Sequence, residues 1–364
     1  MSRKKFWITL VILMVLTIFI KVYSANAYRV EHNYVMEFYP AIASFFRIIF
    51  GWLPFSIGDF LYGGAVLWII IKLIKGIKAV IKKKVTAQSF LTGLKKMVLI
   101  VLTVYVTFNI FWGINYNRQG IAMQLNLKKD SVSFDDLKEV TTLLIEKLNA
   151  SKKYLINNNI NYPSNAQLFK KVENAYAKSK QQFYFLNYNH VSVKSSMWGW
   201  LGNYTGFTGY YNPFTGEAQV NTTVPKFLQP FVTCHEVAHQ LGYAKEDEAN
   251  SVGYLAALNS GDSLLLYSTY FDLYNYTSRQ LFIQSFIRKD TITPKQFSLL
   301  LIPEVKADIK EMRDFFQKHR NPFGPLVRKG YGFYLKNNNQ PKGMQSYDDV
   351  TGFLIAYYKK FGTI

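Results

Sequence analysis

The chain has 364 residues, which is enough for a membrane region and one sizeable globular domain. Its net charge is +20 and its pI is near 9.6. No zinc-finger, helix-turn-helix or RNA-binding aromatic motif accompanies this charge, so we expect no nucleic-acid partner. The single cysteine, Cys234, excludes an intrachain disulfide and is predicted to be a small buried residue.

Three apolar stretches in the first 114 residues predict transmembrane helices, over residues 6–23, 57–74 and 97–114. One basic run precedes the first stretch, and a second runs from Lys72 to Lys96, between the other two. Because Lys and Arg accumulate on the cytoplasmic side, we predict that the N-terminus lies inside and that residues from 115 lie outside. This topology makes the chain a multi-pass protein of a bacterial inner membrane, with its C-terminal domain in the periplasm.

Two features of the N-terminal region leave alternatives. Residues 36–53 are apolar and aromatic but are interrupted by Pro40 and Arg47, so we expect an interfacial or re-entrant helix on the outer face. The first apolar stretch also fits a signal peptide, because residues 25–27, Ala-Asn-Ala, suit cleavage. The apolar stretches that follow favour a retained span, with a cleaved signal peptide as the alternative.

Residues 115–364 are predicted to form one extracytoplasmic α+β domain that is mainly helical and has a small sheet. Amphipathic runs that follow N-cap residues predict helices over about 133–148, 165–180, 262–287, 304–319 and 346–358. Residues 217–224, at the end of a stretch rich in Gly and aromatic residues, are predicted to form a short strand.

Residues 235–239 read His-Glu-Val-Ala-His, an H-E-x-x-H motif. Pro230 suits the first turn of a helix here, and Gly242 suits its C-terminus. Residues i and i+4 share a helix face, so His235 and His239 aim two imidazoles at one point. Two such histidines bind zinc, and Glu236 can act as a general base on a water at that point. The alternative for either histidine alone is an ordinary core or surface residue with hydrogen-bond partners, rather than a metal ligand.

The third ligand is sought in an acidic cluster, residues 246–248, because catalytic zinc usually takes three protein ligands. If a helix begins near Glu246, that residue shares a face of small residues with Asn250 and Gly253, and this face can pack closely on the motif helix. We choose Glu246 as the ligand. Glu248, which points about 200° away toward solvent or the Lys-rich surface, Asp247, and a purely helix-capping role for Glu246 are the alternatives. Asn250 is predicted to hold a ligand histidine in its tautomer.

H-E-V-A-H followed by E-x-x-A-N resembles the gluzincin side of the zincin metallopeptidases. In those enzymes a downstream Glu completes the zinc site, and an Asp or Asn four residues later supports a ligand histidine. The longer run from Asn212 to Asn250 is more similar to a bacterial family of membrane-anchored, zincin-like proteins defined only as a domain of unknown function. This resemblance covers most of the chain and implies a metallopeptidase-type zinc site. The chain departs from the metzincin pattern, whose third His is replaced by Lys245.

The resemblance also implies a place for the substrate. In zincins an edge strand before the motif helix pairs with an extended peptide. Gln219 and Asn221 are therefore candidate substrate-binding residues, with an ordinary aromatic hairpin as the alternative. Tyr347 is predicted to be structural rather than a donor to the oxyanion.

The function we expect is a membrane-anchored zinc metallopeptidase that hydrolyses peptide or protein substrates outside the cytoplasmic membrane. Glu236 would take a proton from the zinc-activated water and pass it to the leaving amine. One rival is a zinc hydrolase of another envelope amide, such as a peptidoglycan link. A second is an envelope protein that keeps a structural metal site, which the intact Glu236 disfavours because a structural zinc needs no base. The sequence leaves the oligomeric state open.

Overall fold

The computed structural model describes residues 2–128, 132–340 and 348–364. The described chain is mainly helical with one three-stranded sheet, as predicted. Its α-helices are α1 Arg3–Ser24, α2 Ala27–Arg29, α3 Tyr39–Phe50, α4 Ile57–Ile81, α5 Ala87–Phe111, α6 Ile121–Gln124, α7 Phe134–Asn157, α8 Asn165–Gln182, α9 Gly199–Thr205, α10 Gln229–Gln240, α11 Glu246–Ser260, α12 Ser263–Ile287, α13 Thr293–Leu299, α14 Pro303–Lys318, α15 Gly324–Asn337 and α16 Asp348–Phe361. A π-helix, Val30–Phe38, joins α2 to α3, and 3-10 turns cover Gly113–Asn117 and Tyr184–Leu186.

The helices predicted in the C-terminal domain are present, and their N-termini follow local capping. The Ser133 hydroxyl accepts a hydrogen bond of 3.0 Å from the Asp136 N–H at the start of α7. The Asp262 carboxylate accepts from the first backbone N–H groups of α12. Such caps satisfy donors that have no partner inside the helix. Tyr347 and the predicted cap before α16 lie outside the described residues.

The sheet has the strands β1 Val193–Ser195, β2 Gly209–Asn212 and β3 Glu217–Val220, in the order β1-β3-β2. Strand β1 pairs with β3 in parallel, and β2 pairs with β3 antiparallel. Because β3 is hydrogen-bonded on both sides, the prediction that this strand is an edge strand is wrong. The sheet's own edges are β1 and β2.

Two hydrophobic cores hold the molecule together. The larger lies among α7, α8, α10, α11, α12 and α16, where side chains such as Leu137, Leu144 and Leu255 are fully buried. Burial of a side chain of this size contributes about 1.5–3 kcal/mol. The smaller core joins α1, the π-helix and α5 through residues that include Tyr34, Val106 and Trp112. The N-terminal helices are thus packed on the domain rather than tethered to it.

Helices α1 and α5 lie side by side and run in the same direction. The Lys95 ammonium is 5.5 Å from the Phe6 ring centroid near their N-termini, and the Lys21 ammonium is 5.8 Å from the Tyr105 ring centroid toward their C-termini. The chain between them must therefore return along the length of this pair. Helix α4 lies in that connection.

Among the described residues, α1 and α5 are the two helices found to be long and apolar enough to cross a membrane. They contain the predicted span over 6–23 and most of the one over 97–114. The predicted span over 57–74 lies in α4, which is not one of the two. The multi-pass anchor with three spans therefore stays a prediction.

Polar groups at the ends of the N-terminal helices are buried in the domain. The Glu217 carboxylate accepts hydrogen bonds from the Ile57 N–H at 3.1 Å and the Gly58 N–H at 2.6 Å, which caps α4. Before α3, Glu31 forms a buried ion pair of 3.1 Å with Arg118. The predicted membrane region, residues 1–114, and the predicted domain, residues 115–364, are therefore packed against each other, because each contributes side chains to these contacts.

Candidate metal centre

The motif residues lie on α10, which begins at Gln229 with Pro230 in its first turn, as predicted. The last carbonyls of α10 have partners from the N-terminal region. The Trp112 indole N–H donates to the His239 carbonyl at 3.2 Å, and the Tyr39 hydroxyl donates to the Gln240 carbonyl at 2.9 Å. The end of the motif helix is thus fixed by residues from the predicted membrane region.

Gly242 ends the helix with a φ of +84°, a conformation that favours glycine. A Cβ at this position would lie 2.8 Å from the Asn115 Oδ1 and 2.9 Å from the Tyr39 ring. A larger residue would therefore be strained and would also displace the groups that pack against the end of α10.

Helix α11 brings the acidic cluster to the motif helix. Its first residue is Glu246, as predicted, and a Cβ added at Gly253 would lie only 3.3 Å from the His235 backbone nitrogen. The face of small residues thus allows close packing of α11 on α10. This contact carries Glu246 toward the two histidines.

His235, His239 and Glu246 form a group whose ligand atoms all lie within 4.8 Å of one another. The Glu246 Oε2 is 3.2 Å from the His235 Nε2 and 3.8 Å from the His239 Nε2. Ligand atoms around a tetrahedral zinc lie about 3.3 Å apart, given its usual bond lengths. The group can therefore hold a metal ion with little movement of its side chains.

The opposite nitrogens of both imidazoles already have partners. The His235 Nδ1 lies 2.8 Å from the Asn250 Oδ1, the contact predicted for Asn250, and the His239 Nδ1 lies 2.7 Å from the Tyr243 carbonyl. Because these oxygens only accept, each Nδ1 carries the hydrogen. Once a metal ion replaces any proton on Nε2, both Nε2 atoms can present a lone pair to the same point, as metal ligands require.

The alternative acid Glu248 faces away from this point. Its carboxylate forms an ion pair of 3.2 Å with Lys245, and a Cβ at Gly120 would meet its Oε1. Of the two surroundings expected for Glu248, solvent and the Lys-rich surface, solvent is wrong because the side chain is buried. Its direction away from the histidines is as predicted. The geometry favours Glu246.

Glu236 is buried beside the ligands, and its Oε2 has no hydrogen-bond partner among the described residues. Strand β2 passes directly over it: a Cβ at Gly209 would lie 2.4 Å from the Glu236 Oε1. A buried carboxylate oxygen without a partner is costly in a folded protein unless function requires it. Its place beside the histidines suits a group that receives a proton from a water.

The surroundings of Glu246 and Glu236 shift the pKa values of their carboxylates in opposite directions. Burial opposes the charge of Glu246, but the hydrogen bonds and charges of both histidines hold its pKa well below the usual range. Burial would also lower the pKa of His235, yet its contact with Glu246 raises that pKa to about 9. Burial raises the pKa of Glu236 to about 7 against the attraction of the histidines. Glu246 thus suits an anionic ligand, and Glu236 a group that exchanges a proton near neutral pH.

The ligands and Glu236 line a cavity of about 950 Å³. Strand β2 forms one wall, through Gly209 and Tyr210, and α5 forms another. Helices α12 and α15 contribute Asp272, Tyr276 and Tyr331. An apolar cavity with a few convergent polar groups is the usual form of a small-molecule or substrate site.

Three polar residues of the cavity were not predicted. The Tyr331 hydroxyl donates to the Glu246 Oε1, and the Tyr276 hydroxyl lies 3.4 Å from the Asn250 Nδ2. Burial raises the pKa of Asp272 to about 6, against the attraction of His235. The spacing of Asp272 and Tyr276, one turn apart on a predicted helix, was an available signal. For Tyr331 there was none, because its helix was not predicted.

Gln219 and Asn221 have structural partners. The Gln219 amide is hydrogen-bonded to the Ser56 hydroxyl at 2.8 Å, and Asn221 donates to the Asn203 Oδ1 at 2.8 Å. Both are buried. Since β3 is also central in the sheet, these residues do not offer the free strand edge expected of them. Cys234 is buried next to His235, as predicted.

The chain matches one family model, described as "Protein of unknown function (DUF3810)", over residues 34–355. The match covers most of the chain, so the protein belongs to this family. No curated protein and no solved structure matches it.

Proposed function

We propose that this member of the DUF3810 family is a membrane-bound zinc metallopeptidase that hydrolyses peptide bonds at the outer face of the cytoplasmic membrane. The observation that carries the proposal is the convergence of His235, His239 and Glu246 in one cavity with Glu236, whose Oε2 has no hydrogen-bond partner in the described part of the chain. Three protein ligands leave a position for water, which is the arrangement of catalytic zinc, whereas structural sites use four.

Zinc bound here would polarise a substrate carbonyl and lower the pKa of a water. Glu236 is placed to accept a proton from that water and to return it to the leaving nitrogen. Asn250 and the Tyr243 carbonyl keep the imidazoles oriented. Tyr331 lines the cavity, and its hydroxyl donates to the Glu246 Oε1. Turned from Glu246 to the substrate, this hydroxyl is the candidate donor to the oxyanion that develops on the carbonyl.

The strand that pairs with an extended substrate is proposed to be β2 instead of β3. Within the described chain β2 is an edge of the sheet, and Thr208, Gly209 and Tyr210 line the cavity. The absence of a side chain at Gly209 allows the backbone to approach Glu236 closely. A peptide added to this edge would pass next to the metal ligands.

The membrane topology proposed from the sequence has support in the packing. If the parallel helices α1 and α5 both cross the bilayer, the chain must cross back between them. Helix α4 has 25 residues, about 37 Å, which exceeds the hydrocarbon thickness of about 30 Å. Its large apolar side chains are exposed from Val66 to Ile81. We therefore keep three spans in the proposal.

The ends of these helices support the orientation. The C-termini of α1 and α5 and the N-terminus of α4 meet the domain, while the opposite ends carry the basic runs. Helix α3 buries Tyr39, Ala43 and Arg47 against the domain and exposes Phe45 and Ile48. An exposed apolar face on a docked helix suits the predicted interfacial segment. The metal centre then lies on the periplasmic side, at the membrane surface.

The test uses the full chain in detergent or nanodiscs. We expect about one zinc per chain and cleavage in a peptide library that a chelator abolishes. Glu236→Gln should retain zinc and lose about 100-fold or more in turnover, because a base is lost but no ligand is. His235→Ala and His239→Ala should lose both zinc and turnover. Near-normal turnover in Glu236→Gln would contradict the proposal.

A matched pair of variants tests the third ligand. Glu246→Ala should lose bound zinc, whereas Glu248→Ala should keep it because Glu248 pairs with Lys245. The reverse result would move the ligand to Glu248. Bound zinc with no hydrolysis of any peptide or envelope amide would instead favour a structural metal site.

A further inference from the structure

The cavity that contains the metal ligands continues along α5 as an apolar slot. We define the slot by the α5 residues that line it: Ile100, Val101, Val104, Tyr105 and Phe108. These residues recur at the spacing of one helix face. Tyr62, in the second turn of α4, lines the cavity on the other side. The same cavity thus joins Glu236 to side chains of a helix that is apolar enough to cross a membrane.

The depth of the slot is set by the helix rise. Ile100 and Trp112 are twelve residues apart, which is about 18 Å along a helix. Trp112 marks the outer end, because its indole is bonded to the His239 carbonyl. One leaflet of a bilayer has a hydrocarbon depth of about 15 Å. The slot therefore reaches through about one leaflet, with the metal ligands at its outer end.

The slot is open laterally, into the space beside α5. Ile100, Val101 and Val104 line it and are still about half exposed. Helix α4 is exposed on all sides over residues 64–78, so it leaves the space beside α5 accessible. In the proposed topology this space is filled by the outer leaflet. A molecule in that leaflet can reach the slot without first entering water.

The apolar side chains that line the slot indicate which kind of molecule can bind there. Apart from the Tyr105 hydroxyl, the slot residues of α5 carry no side-chain polar group, and an extended peptide against this wall would lack partners for its backbone. A transmembrane helix needs about 20 residues and both leaflets, whereas the slot covers one. A fatty acyl chain has no polar group to satisfy and has the length of a single leaflet.

We propose that the substrate is a lipidated peptide whose acyl chain enters the slot sideways from the outer leaflet. The peptide bond near the lipid anchor then lies at Glu236. Hydrolysis adds water across this amide: the carbonyl carbon gains the hydroxyl, the C–N bond breaks, and the nitrogen leaves with a proton. The chemistry at the outer end and the leaflet around the slot rest on the proposed function, whereas the slot itself rests on the side chains of α5 that line the cavity.

The test is photo-crosslinking in lipid nanodiscs with the zinc-loaded full chain. The probe is palmitohydroxamic acid with a diazirine in the middle of its chain, so that the hydroxamate binds zinc and the chain reports its own location. We expect adducts on the slot residues, displaced by excess acetohydroxamic acid. Val104→Trp should reduce them about tenfold by filling the slot. Thr103→Trp, at an exposed neighbour outside the cavity lining, is the matched control and should leave them unchanged.

The outcomes separate this proposal from the proposed function. Adducts spread equally over Thr103 and the slot, and insensitive to Val104→Trp, would overturn the slot even if acetohydroxamate binds and peptides are cleaved. Slot adducts that persist after chelation would support the acyl-chain site and count against the zinc site. Displacement by a 20-residue transmembrane peptide but not by a palmitoylated peptide would overturn the lipidated substrate in favour of a membrane helix.

Discussion

Replacing Asn250 by Ala removes the acceptor that holds the Nδ1 hydrogen of His235, 2.8 Å away. The imidazole is then free to turn and to change tautomer, which withdraws its Nε2 lone pair from the metal. Loss of such a supporting contact typically costs 10–100-fold in metal affinity, or about 1.4–2.8 kcal/mol. We expect the upper half of this range, because Asn250 is buried and Ala leaves the Nδ1 hydrogen without a partner.

The assay is a zinc competition titration of the full chain in detergent against a chromophoric chelator. Asn250→Asp keeps an acceptor oxygen at the same place and should bind zinc within about threefold of the unchanged protein. Ser251→Ala is the matched control on the same helix, because its hydroxyl donates to the Asp247 carbonyl at 2.7 Å and has no other partner within residues 2–128, 132–340 and 348–364. It should leave zinc affinity unchanged.

The zinc affinities of these variants, taken together, test whether Asn250 orients His235. Equal zinc affinity in Asn250→Ala and the unchanged protein would show that Asn250 does not orient a metal-bound histidine. A loss shared by Asn250→Ala and Ser251→Ala would point to general destabilisation of α11 instead.

Two further predictions concern packing, and one concerns the membrane topology. Gly209→Ala places a Cβ 2.4 Å from the Glu236 Oε1 and should lower hydrolysis about 100-fold with zinc retained. Gly64→Ala should be neutral in the same assay, because its Cβ would meet no described atom within 4 Å beyond its own helix backbone. A fragment of residues 115–364 lacks the groups that cap the end of α10, so circular dichroism should show a less cooperative melt than for the full chain. Reporter fusions at residue 85 should be active only in the cytoplasm and fusions at residue 200 only outside it; a cytoplasm-active reporter at residue 200 would refute the topology.

The group of His235, His239 and Glu246, which could hold a metal ion, could be predicted because its geometry is local. His235 and His239 are brought together by a single helical turn, and Glu246 by a short loop and a face of small residues. Each of these steps depends on periodicity that is visible in the sequence. The choice of Glu246 over Glu248 needed only the direction of each side chain around one helix axis.

The sheet could not be predicted to the same degree. Strands of three or four residues carry little hydrophobic pattern, and the pairing of β1 with β3 joins segments more than twenty residues apart. The order that puts β3 in the centre depends on that pairing. Helix α15 was missed for a different reason: glycines at 324, 330 and 332 lower its helix propensity, and tertiary packing outweighs that preference.

The domain boundary shows another limit of hydropathy. Apolar composition indicates which segments suit a bilayer, but it does not show that Glu31 and Asp59 are buried against the domain. Asp59 accepts a hydrogen bond from the Met197 N–H at 2.6 Å, and Glu31 pairs with Arg118. Polar residues at the ends of apolar helices are therefore better read as docking groups than as solvent-facing ends.

The position of the candidate metal ligands follows from these docking contacts. His239 is held through its carbonyl by Trp112, directly after α5, and the neighbouring Gln240 carbonyl by Tyr39, at the start of α3. If α5 crosses the bilayer, the ligands cannot lie more than a few residues' length from its outer surface. A peptidase for soluble substrates has no need of such a restraint. The restraint is useful where the scissile bond is itself held at the membrane surface, because anchoring enzyme and substrate at one depth supplies part of the orientation that catalysis requires.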